Sequence, residues 1–182
     1  MAVAEPRDDL INNLRCLAAI HAVGLLDSRR IPPLATWLLS HGLDARLIVE
    51  LAGMDLEPFL AIDASELFDE ALFALSVLPF ERRDEVRIAL AAASAVHLYQ
   101  RLNAENMMAI GVHLAVRYDY VDDVMGLVGL QDEWEGAWGR PHDATTTEVR
   151  EIALDALRRA PEVLACNPEV LNIALRAEAA PQ

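Results

Sequence analysis

From Leu10 onward, the apolar positions Leu14, Leu17, Ala18 and Leu25, with His21 among them, recur at three- and four-residue spacing. That rhythm is the signature of an amphipathic helix. The polar break "DSRRIPP" ends it, and Pro33 can open a second helix carrying Leu34, Trp37 and Leu38, closed by Gly42 as a left-handed cap. Asp44 starts a third, "ARLIVELAG", closed by Gly53. "DASE" (Asp63 to Glu66) has capping-box spacing ahead of the stripe Leu67, Phe68, Ala71, Leu72 and Leu75.

The longest continuous candidate is "ERRDEVRIALAAASAVHLYQRL". Its polar stripe is narrow (Arg83, Arg87, Ser94 and Arg101), and a helix apolar around most of its circumference belongs at the centre of a fold. Asn103 can cap the next helix, to about Arg117. Another covers Tyr120 to Val128, with Asp122 and Asp123 facing away from Val121, Val124 and Val128. Gly126 and Gly129 favour a break there, since continuation would put Asp132 on the buried stripe. Thr145 and Glu148 form a second capping box ahead of Val149, Ile152, Ala153, Ala156 and Leu157, and Asn167 with Pro168 starts the last helix. Alternating apolar–polar runs, fixed-period repeats and long heptad arrays are absent. The expectation is an all-α, compact bundle of seven to nine helices with Asp84 to Leu102 central. It forms one domain over residues 1–182, divisible into sub-halves 8–78 and 81–180.

Composition supports this and adds charge. Of 182 residues, 54% are hydrophobic and only 5% aromatic, a balance that favours helix over sheet. The net charge is -14, and all 15 basic residues are arginine. Such a chain repels nucleic acid and anionic membrane, so the expected partner is a cationic protein, against the plainer reading that acidity serves solubility. A homo-oligomer is compatible with the pattern. No run of about 18 apolar residues is long enough to span a bilayer. The opening "MAVAEPRDDL" does not read as a secretory signal, so a cytoplasmic location is expected. Cys16 and Cys166, far apart in apolar helical settings, read as buried free thiols.

Candidate chemistry is sparse. The segment Gly126–Ile152 gathers Asp132, Glu133, Glu135, His142 and Asp143, yet without HExxH, paired ExxH or EF-hand spacing. It reads better as a polar connection, with Trp134 and Trp138 folding back over the core. His21 and His97 lie on apolar faces, His41 suits a helix C-terminus, and His113 stands four residues before Arg117. A nucleophile elbow, an activated cysteine and a phosphate loop are all absent, so no enzyme, no cofactor and no metal are expected. The Arg83, Arg87 and Arg101 stripe reads as internal ion pairing, with an anion groove as the alternative.

"ARLIVELAGMDLEPF", "ASELFDEAL", "LVGLQDEWE" and "EVREIALDALRRA" resemble segments of small helical bacterial proteins, some of them immunity proteins encoded beside polymorphic toxins. The likeness covers about half the chain, and it carries no functional residue across. It implies a non-enzymatic interaction protein, immunity-like or adaptor, whose partner would be a basic toxin. The acidic contact surface is placed at Asp119, Asp122, Asp123 and Glu133, with Trp134 or Trp138 as an aromatic anchor. The alternative is a helical metal- or small-ligand-binding protein using His97, His113 and the acids around Asp132.

Overall fold

The computed structural model describes residues 8–54, 61–77, 82–100, 103–136 and 141–175. Among the described residues ten α-helices follow one another: α1 (Asp8–Ala22), α2 (Ile31–Ser40), α3 (Arg46–Ala52), α4 (Ala61–Ala74), α5 (Arg82–Gln100), α6 (Ala104–Arg117), α7 (Asp122–Gly136), α8 (His142–Arg159), α9 (Pro161–Leu164) and α10 (Pro168–Leu175). A single 3-10 turn, Ser28–Arg30, precedes α2, and no strand occurs among the described residues. The all-α expectation holds. The count exceeds it because short pieces are separate helices, α9 having four residues.

Helix α5 is the shared wall of two apolar clusters. One side presents Ile88, Ala91, Ala92, Ala95 and Val96 to side chains of α1 to α4, α9 and α10, including Leu14, Ile20, Leu34, Phe68 and Leu171. The other presents Val86, Ala89, Leu90 and Ala93 to α6, α7 and α8 through Met107, Leu114, Leu127, Leu130 and Val149. Helices α9 and α10 return across the 78/81 division to pack on α1 and α5, and α10 also meets α2. Ser94 is fully buried, its hydroxyl donating to the Leu90 carbonyl, so it is no part of an exposed polar stripe.

Several sequence-expected caps form. Gly42 takes φ +95°, with Gly42 N–H donating to Leu39 O and Leu43 N–H to Leu38 O. The Asn103 side chain accepts from Asn106 N–H, and that of Asn167 from Glu169 N–H. Others do not. Helix α4 already starts at Ala61, which leaves Asp63 inside its first turn. Helix α8 starts at His142 behind Pro141, and Thr145 is buried in the helix instead of capping it. With the helix already begun at His142, Thr145 stands at no helix start to cap.

The expected break near Gly129 is also absent. Helix α7 runs unbroken to Gly136, and its buried stripe is Val124, Leu127 and Leu130, which leaves Asp132 exposed. Packing overrides glycine propensity here. Gly126 lies against Ile152, and a Cβ on Gly111 of α6 would come within 2.4 Å of the Leu127 Cβ, so α6 and α7 meet almost backbone to backbone.

Cys16 and Cys166 are not free thiols. They are joined as a disulfide between α1 and the turn after α9, 150 residues apart in sequence, a proximity that only the return of α9 and α10 creates.

Candidate functional site

The turn from α6 to α7 builds a cleft of about 580 Å³ lined by Arg83, Tyr118, Asp119, Tyr120, Val121, Asp122 and Asp123. Tyr118 caps α6, then Asp119 and Tyr120 both take left-handed backbone conformations (φ 58° and 56°), and Tyr120 N–H donates to Ala115 O at 2.8 Å. Left-handed residues other than glycine are uncommon. This pair reverses the chain sharply enough to lay α7 back against α6. The Tyr118 ring is buried and its hydroxyl donates to Glu85 of α5 at 3.1 Å, tying the turn to the central helix. Burial pushes the Tyr118 phenol up, and the neighbouring Glu85 carboxylate adds to the rise.

Inside the cleft the carboxylates differ. Asp123 is mostly covered and accepts from Arg159 at 2.7 Å, and Arg159 also pairs with Asp155. Behind it, Arg87 donates to Glu162 (2.5 Å), to Asp84 (3.2 Å) and to the Arg159 carbonyl at the end of α8 (2.8 Å). The Glu162 hydrogen bond holds the Arg87 guanidinium above its ordinary range. Partial burial works against ionisation of Glu162, yet Arg87 holds its carboxyl below the usual value. Asp119 and Asp122, by contrast, are exposed and have no ion-pair partner among the described residues. Tyr120 beside them is 56% exposed. The rim thus offers two uncompensated carboxylates and a phenol ring next to one arginine, a setting that suits a cationic group.

The sequence-expected surface is only partly gathered here. Asp119, Asp122 and Asp123 converge, but Asp123 faces Arg159 rather than solvent. Glu133 lies ten residues beyond Asp123, about 15 Å along a helix. Trp134 is partly buried against the second cluster and stacks on His142 (centroids 3.9 Å apart, planes 18°), so it staples α7 to α8 instead of standing out as an anchor. Trp138 and Arg101 lie outside the described residues. Arg87 makes the internal pairs expected of the arginine stripe, whereas Arg83 lines the cleft. Tyr118 and Tyr120 were missed as site residues. Their alternation with Asp119 in "RYDYVDD" was the available signal.

His113, His41 and His21 serve the scaffold. His113 bonds Val23 O at 2.8 Å and Arg117 donates to Ala22 O at 2.8 Å, so one face of α6 satisfies the last carbonyls of α1. His41 bonds Trp37 O. His21 meets Asp69 at 3.1 Å and packs edge-on against Phe68; burial lowers its pKa despite the opposing pull of Asp69. Among the described residues no three histidine, cysteine or carboxylate side chains come together in a way that could hold a metal ion, and no helix is long and apolar enough to cross a membrane.

Comparison of the chain with protein-family models, with curated proteins and with solved structures returns no match.

Proposed function

We propose that this is a non-enzymatic interaction protein that binds a cationic protein partner, in the manner of an immunity or adaptor protein, with the α6–α7 turn as its contact. The observation that carries the reading is the pair Asp119 and Asp122, exposed and without an ion-pair partner among the described residues, on the rim of a cleft that also presents Tyr120. The third carboxylate of the cleft, Asp123, is neutralised by Arg159. The net charge of -14 would speed encounter with a basic surface and make association fall with salt. In an immunity setting the partner is a basic toxin met in the cytoplasm and encoded in a neighbouring reading frame. The metal-binding alternative gains no support from any described cluster.

The test is titration with an oligo-arginine peptide at low and high salt. The chain carrying Asp119→Asn and Asp122→Asn is compared with one carrying Glu66→Gln and Glu70→Gln, which neutralises two exposed carboxylates on α4. Exposed charge pairs are each worth up to about 1 kcal/mol, so losing two should weaken binding by up to about thirtyfold, more than the control does. Equal losses in the two variants would show that only net charge matters and would remove the cleft from the proposal.

A further inference from the structure

We infer that Cys16 and Cys166 form a reversible dithiol–disulfide clamp, opened from the Cys166 side by small thiols, that fastens α9 and α10 to α1. This stands independently of the cationic-partner reading. Both sulfurs lie in the apolar cluster, Cys16 at 0% and Cys166 at 5% exposure. The Cα atoms are 7.2 Å apart, just past the span disulfides usually bridge, so two thiols fit the same site without displacing either segment. The reduced state also has hydrogen-bond acceptors in place. Cys166 Sγ lies 3.4 Å from Asn12 O and 3.6 Å from Glu162 O, where a thiol would donate.

Around the bridge, polar contacts keep the segment docked when the covalent link opens. Asn13 is 3% exposed; it donates to Asp9 O (2.9 Å) and accepts from Asn167 N–H (2.7 Å). Trp37 donates to Glu169 (3.1 Å), and Arg30 to Ile173 O (3.3 Å).

Access is one-sided. A cleft of about 270 Å³ opens beside the bridge, and Ala165 and Asn167, the residues on either side of Cys166, line it together with Asn13, Trp37 and His41. Neither sulfur lines the cleft itself: Cys166, 5% exposed, is flanked by two of its residues, whereas Cys16 lies one helical turn beyond Asn13 and is fully covered. A thiolate entering there attacks Cys166 Sγ, forming a mixed disulfide, and the Cys16 sulfur leaves as a thiolate that takes a proton from water. A second thiolate attacks the sulfur of the bound thiol, releasing Cys166 as a thiolate and the small-molecule disulfide. The net change is one protein disulfide and two thiols converted to one protein dithiol and one small disulfide. Asp9 on the cleft and the overall negative charge disfavour anionic thiols, so cysteamine should open the bridge faster than glutathione at equal thiolate concentration.

The experiment uses the full chain. Protein unfolded in the presence of iodoacetamide should take no adduct before thiol treatment and two after it. Mixed disulfide trapped early with cysteamine should map to the peptide containing Cys166. Reduction should lower Tm by about 5–15 °C, from the closure entropy of so long a loop. Cys16→Ser with Cys166→Ser should melt at a temperature indifferent to thiol. Two adducts without reductant, a mixed disulfide on Cys16, or a wild-type Tm unmoved by thiol would each overturn the proposal.

Discussion

On one side of α5, large side chains such as Phe68, Leu14 and Ile20 fill the space between helices, and polar and covalent stitches (Asn13 to Asn167, Trp37 to Glu169, Cys16 to Cys166) hold chain segments distant in sequence together. On the other side the fit depends on what is missing. Gly111 leaves room for Leu127, Gly126 for Ile152, and α6 and α7 follow each other directly through the Asp119–Tyr120 turn. The first region is stabilised by filling volume, the second by close approach. They should therefore respond in opposite ways to added and removed atoms.

Removing atoms tests the first region. Phe68→Ala should cost about 3–5 kcal/mol, because a fully buried ring leaves a cavity behind. Urea unfolding measures it, and a loss under about 1 kcal/mol would mean that the region collapses readily and the contrast is false. Adding one methyl tests the second. Gly111→Ala should cost about 1–3 kcal/mol through overpacking on the Leu127 Cβ, and a double-mutant cycle with Leu127→Gly, which removes that Cβ, should show favourable coupling, whereas Leu127→Ala, which keeps it, should not.

Gly129 sharpens the comparison, because it lies on the same helix as Gly126 with open space around it. Gly129→Ala should stabilise by about 0.5–1 kcal/mol through helix propensity alone, raising Tm by about 2–4 °C. A destabilised Gly129→Ala chain would mean that α7 is held by something other than packing along Val124, Leu127 and Leu130.

The smallest effect belongs to His21. Burial, the larger influence, lowers its folded pKa below the ordinary 6.5, against the upward pull of Asp69 and with Arg117 adding to the depression. Between 6.5 and that lower folded value the unfolded chain binds more protons, so stability should fall as the pH drops through this window. His113 of α6, Asp69 and Ser65 of α4, and Arg117 are the groups to consider around it. His21→Gln should flatten this part of the pH–Tm curve, a change on the order of 1 °C. An unchanged slope would assign the dependence to another group.

The first region was largely legible in the sequence, because Leu14, Leu34, Phe68 and Leu72 announce their faces by periodicity. The second was misread where local preference and packing disagree. Gly129 reads as a stop although Leu127 and Leu130 carry the helix through it, and Thr145 with Glu148 reads as a cap although Thr145 is core. The acidic turn could be read because Asp119, Asp122 and Asp123 are near neighbours in sequence. The pairing of Asp123 with Arg159, the presence of Arg83 in the cleft and the union of Cys16 with Cys166 could not. Each depends on how helices far apart in sequence come together, and no periodicity encodes that.

The alanines of α5 have one more consequence. Ala89, Ala91, Ala92, Ala93 and Ala95 are all buried; Ala91, Ala92 and Ala95 belong to one cluster, Ala89 and Ala93 to the other. With little more than methyl groups between them, the clusters are separated by scarcely more than the thickness of a helical backbone. A bulkier residue on either face shifts the rod and disturbs both sides at once. Substitutions elsewhere can be absorbed within one cluster, whereas along this helix they are felt by both. The two regions are therefore expected to melt together, with amide protons along the middle of α5 exchanging only when both clusters open; exchange there at a lower free energy than global unfolding would show that one side opens alone.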